Sequence, residues 1–100
     1  MANSNINWTD GELKKAVVAY FKMLKYEQTK TPYVKSEINK ELQAKLNGRT
    51  RGSIEYRWQN ISSVLNDNKL EYVSGYKPAR NVGTNVKERI WKIINDLNLV

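Results

Sequence analysis

Between residues 49 and 63 the chain gathers side chains that can read a base edge or hold a phosphate: Arg49, Arg51, Ser53, Tyr56, Arg57, Gln59, Asn60 and Ser63. Asparagine can pair bidentately with adenine and arginine with guanine, because their donors and acceptors match the pattern displayed in the major groove of DNA. On that chemistry Asn60 is expected to face adenine, and Arg57 or Arg51 to face guanine. Arg49 and Arg51 stand at a helix start, where free amides and the helix dipole favour an anion, so phosphate anchoring is their expected role. Further along, Lys77 and Arg80 flank Pro78 and are expected to reach phosphates or to enter the minor groove as an arm. The plain alternatives are an ion pair between Arg57 and Glu55 and a merely solvated Asn60.

Catalytic chemistry has few carriers here. The absence of cysteine and histidine removes zinc fingers, thiol nucleophiles, disulfide frameworks and most general-base chemistry at neutral pH. A carboxylate-metal nuclease would need clustered acids, and the ten Asp and Glu are scattered. No cofactor, no metal and no enzymatic activity are expected. Asp67 and Glu71 are the acids whose loss would test that expectation.

The elements that position these residues follow from periodicity. Trp8-Thr9-Asp10-Gly11-Glu12 contains a capping box, and the apolar stripe Leu13, Ala16, Val17, Tyr20, Phe21 and Leu24 predicts a helix to about Glu27. Lys14, Lys15, Lys22 and Lys25 fall on its solvated side. Residues 28–32 form a connector ending in Pro32. Val34, Ile38, Leu42 and Leu46 predict a second helix over about 35–46, with Ser36 and Glu37 as its N-terminal signal and Glu41 and Lys45 as a surface pair. Asn47-Gly48 suits a left-handed turn, and Thr50 caps a third helix whose core face is Ile54, Trp58, Ile61 and Leu65. Tyr56 lies off that stripe, exposed. The third helix is expected to end near Asn66-Asp67-Asn68. Residues 70–83 read as an extended strap with room for a short strand. Thr84 caps a fourth helix carrying Val86, Ile90, Ile93, Ile94 and Leu97, with Trp91 at its edge.

One hundred residues make one domain with a small single core. The net charge of +7 is spread over both halves, +4 in residues 1–50 and +3 in residues 51–100, so a compact basic domain with a polyanionic partner is expected. Residues 1–7 are short and polar and read as a flexible lead-in, leaving 8–100 as the domain. No apolar run approaches a membrane span and no secretory signal layout is present, which makes a cytoplasmic protein, associated with the nucleoid when bound to DNA, the expected setting.

Trp8-Thr9-Asp10 opening a helix, and Arg49-Thr50 before a helix containing Arg57-Trp58, resemble the Myb/SANT type of three-helix helix-turn-helix domain. That likeness covers roughly residues 8–65. Pro32-Tyr33, the run from Gly48 to Leu65, and Gly75-Tyr76-Lys77-Pro78 are similar to an N-terminal module of bacterial restriction-type proteins, which often precedes an HNH nuclease or another effector. The resemblance implies an all-α fold, a three-helix helix-turn-helix core plus a C-terminal closing helix. It also implies double-stranded DNA as partner, with the third helix in the major groove and a fused or separate effector doing the cutting. Lacking the histidines of an HNH centre, this chain would be the binding part alone. The rival expectation is a SANT-like protein-interaction module that uses Tyr56 and the Leu70-Tyr72-Val73 segment as its contact surface.

Overall fold

The computed structural model describes residues 8–100; the expected lead-in, residues 1–7, lies outside them. The chain is all-helical, with four helices and no strand among the described residues: α1 (Asp10–Gln28), α2 (Lys35–Lys45), α3 (Arg51–Asp67) and α4 (Thr84–Asp96). α1 packs on each of the other three, and α3 likewise, whereas α2 and α4 do not touch each other. The central pair is therefore α1 and α3, with α2 and α4 flanking it separately. No helix among the described residues is long and apolar enough to cross a membrane.

The helix starts follow local chemistry. Thr9 and Glu12 form a reciprocal capping box at 3.1 and 2.9 Å. Thr50 and Ser53 form a second one, in which a serine takes the place usually held by glutamate. α2 begins without a side-chain cap at Val34, so Ser36 does not act as its signal. At α4 the cap is Gly83, and Thr84 is the first helical residue instead of the expected cap.

Three helix ends share one device. α1, α3 and α4 each close in a Schellman motif, with amide-to-carbonyl bonds from Thr31 to Tyr26, from Leu70 to Leu65 and from Leu99 to Ile94. The left-handed residue at each is Lys30, Lys69 and Asn98, with φ of 57°, 58° and 55°, where glycine is the usual choice. Between α2 and α3 the left-handed residue is Gly48, φ 76°.

The core lies between α1 and α3. Trp58 is fully buried and donates its indole N–H to the Ala16 carbonyl at 3.1 Å, and it shares one buried cluster with Leu13, Val17, Ile54, Ile61, Leu65, Ile90 and Ile94. Truncating Trp58 to alanine would cost about 3–5 kcal/mol. The strap, residues 70–83, belongs to the core as well: Val73 is fully buried, Tyr76 nearly so, and the Tyr76 ring lies 5.2 Å from that of Trp58. Tyr20 fixes it from below, its hydroxyl accepting from the Val73 amide at 2.9 Å and contacting Ser62 Oγ at 2.7 Å.

Candidate nucleic-acid interface

α3 changes character along its length. Residues 60–65 are all buried, because α1 and α4 enclose that half of the helix. The start of the helix keeps an open side, with Arg51, Gly52 and Tyr56 exposed and Ser53, Glu55 and Gln59 half-buried, and Asn66 and Asp67 are exposed at its far end. Tyr56 is 44% exposed, a large aromatic ring open to solvent.

The structure separates the expected site residues into two groups. Arg57, Asn60 and Ser63 are buried at 6%, 1% and 4% exposure, contrary to their expected place on the solvent face. Arg57 donates from Nη1 to Asn60 Oδ1 at 2.8 Å, and its guanidinium lies over the Trp8 ring. Burial first, and then the nearby Arg49 and Arg89 cations, pull the Arg57 pKa down from its ordinary value. The anticipated Arg57–Glu55 pair is not formed, since Glu55 takes Arg51 instead, at 3.4 Å.

Arg49 is also committed inward. Its Nε and Nη2 hold the two carboxylate oxygens of Glu12 at 3.1 and 2.9 Å, and its plane covers Trp8 from 4.8 Å. This bidentate grip holds the Glu12 carboxyl below the usual carboxylate range. Ser53 is likewise occupied, its hydroxyl donating to the Thr50 carbonyl and accepting from the Thr50 amide. Arg49 and Ser53 fasten the start of α3 to α1 and to itself, and Arg49 is not turned outward as an anchor.

What remains outward is Arg51, Tyr56 and Gln59, joined by Lys77 and Arg80. The Ala79 amide donates to the Gln59 carbonyl at 3.2 Å, which lays the Lys77–Arg80 loop along the open side of α3. Both loop cations are exposed. Lys35, at the start of α2, reaches over the Tyr76 ring at 5.2 Å and adds a third cation to the same neighbourhood. Nothing in the periodicity marked Lys35, because its place depends on the strap folding back beneath it. No protein-family model, curated protein or solved structure matches this chain.

Among the described residues no three acids, histidines or cysteines converge on one point. Asp67 is paired with Lys87 at 2.6 Å, and Glu71 accepts from Gln28 at 3.0 Å. Expected surface pairing also differs at Glu41, which meets Lys22 of α1 at 3.8 Å and not Lys45.

Proposed function

We propose that the chain binds double-stranded DNA, with α2, the Gly48 turn and α3 acting as a helix-turn-helix of Myb/SANT type and the first two turns of α3 entering the major groove. One observation carries this reading: the open end of α3 presents Arg51, Tyr56 and Gln59 beside Lys77 and Arg80, held there by the Ala79–Gln59 hydrogen bond. Recognition helices present their N-terminal residues to base edges, so burial of residues 60–65 leaves the useful end free. Gly52 has open space around its α-carbon, which lets a phosphate or base edge approach the backbone.

Gln59 and Arg51 carry the base-reading role on this surface, and Lys35, Lys77 and Arg80 hold phosphates. The overall charge of +7 supports steering toward a polyanion. The resemblance to modules of restriction-type proteins makes a defence setting, with a separate or fused effector, the proposed context.

Fluorescence anisotropy on a labelled random-sequence duplex at two salt concentrations tests the proposal. With about three cations on phosphates, log K should fall against log salt with a slope of about −3. A difference between plain and cytosine-methylated pools supports the restriction context. Absence of binding at low salt, where even non-specific contacts register, overturns the DNA reading.

A further inference from the structure

A second surface lies between α1 and α2, lined by no α3 residue. It is a cleft of about 430 Å³ whose floor is Val18 and Ala19 from α1 and Ile38 and Leu42 from α2. Val18 is 52% exposed, although it sits within a long, regular helix. Four lysines, Lys14, Lys15, Lys22 and Lys45, stand around this floor, with Glu41 as the single acid among the lining residues. The cleft is bracketed by two cross-ties: Lys15 Nζ donates to the Lys45 carbonyl at 3.2 Å, and Lys22 meets Glu41 at 3.8 Å.

We propose that this cleft is a docking site for an acidic amphipathic helix of a partner protein. The apolar floor suits the i, i+4 and i+7 side chains on one face of such a helix, and its volume holds roughly two or three of them. The rim selects the sign of the flanking residues. Lys14 and Lys45 ammonium groups have no carboxylate partner among the described residues, and Glu41 is offset by Lys22, so acidic flanks meet net positive potential. A second copy of this chain is disfavoured as occupant, because apposing two such rims places lysines against lysines. A phosphate backbone fills no apolar floor, which separates this site from the proposed DNA surface.

The probe is a fluorescein-labelled amphipathic peptide of leucine and glutamate, about four helical turns long, titrated by anisotropy against the intact chain. Saturable one-to-one binding in the micromolar range is expected, with amide NMR shifts confined to α1 and α2. Val18→Glu places a carboxylate on the apolar floor, where it repels acidic flanks and draws on Lys14 and Lys22, and the high exposure of the position leaves folding intact; it should weaken the peptide by about tenfold. Glu41→Gln should instead strengthen binding a few-fold by removing the one repulsive group, a gain that a misfolded variant would not show. Equal binding of a scrambled peptide with the same charge but no apolar stripe overturns the proposal, as does binding unchanged by Val18→Glu. Shifts centred on the first turns of α3, or capture of anionic lipid vesicles with no peptide binding, also overturn it.

Discussion

Arg57 and Asn60 bond to each other inside the bundle, Nη1 to Oδ1 at 2.8 Å, one helical turn apart on α3. The Arg57 Nε and the Asn60 Nδ2 are buried without a hydrogen-bond partner among the described residues, so this pair is only half satisfied. Asn60→Ala removes the acceptor and should cost about 1–3 kcal/mol in a urea titration. Arg57→Met exchanges a buried cation with no acid beside it for an apolar chain of similar length and should leave stability unchanged or raised. A loss above about 2 kcal/mol for Arg57→Met would show that its contacts with Asn60 and the Trp8 ring outweigh the cost of burying the cation.

Salt dependence distinguishes loop from helix at the proposed interface. Lys77→Ala and Arg80→Ala should weaken every duplex sequence alike, each lowering the magnitude of the salt slope by about 1. Gln59→Ala should cost about 1–3 kcal/mol on a preferred sequence and little on random DNA. Equal losses on both DNAs would remove Gln59 from base reading.

Glu12 and Arg49 make the acid limb of stability predictable. The folded carboxyl titrates below its ordinary value of 4.5, so the stabilisation is present above that value and is lost as pH falls through the folded pKa. Glu12→Gln keeps a capping side chain and should flatten the decline below pH 4.5, measured by thermal melts across the acid range.

The alkaline limb rests on tyrosine. Burial pushes Tyr20 and Tyr76 up to about 12, and Tyr33 is raised too, its burial reinforced by a 2.5 Å hydrogen bond to Glu27. Here the folded pKa exceeds the unfolded one, so stability is full below pH 10 and falls as pH rises from 10 toward 12. Ultraviolet titration should show these tyrosines ionising only with loss of helical circular dichroism. Tyr20→Phe should cost about 1–3 kcal/mol, because the buried Val73 amide loses its acceptor. Ionisation of all six tyrosines near pH 10 in the folded chain would contradict this account.

Lys69 and Lys30 hold left-handed positions that glycine adopts without steric cost. Lys69→Gly and Lys30→Gly should each stabilise the chain by about 0.5–1 kcal/mol in chemical denaturation, since both are exposed and lose no packing. A destabilisation would show that their side chains have tertiary partners.

The helices were readable because their apolar residues repeat at helical spacing and because Thr9, Glu12 and Thr50 are strong start signals. The faces of α3 were harder. Periodicity locates one buried stripe, but a helix packed against three others buries polar residues as well, and Ser62, Ser63 and Asn60 look the same in sequence whether they meet water or the inside of the bundle. Arg49 was misplaced for a related reason: its partner Glu12 is 37 residues away, and no local pattern announces a tertiary ion pair.

The three tryptophans occupy three different environments. Trp58 is sealed in the core, Trp91 is half-exposed on α4, and Trp8 lies against the guanidiniums of both Arg49 and Arg57 while its carbonyl is held by Arg89 at 2.6 Å. Each indole therefore emits from its own dielectric surroundings. The chain carries internal optical gauges: peeling of the first turn of α1 should move Trp8 emission to the red while Trp58 stays blue, so partial opening and complete collapse of the core are distinguishable by colour without any added dye.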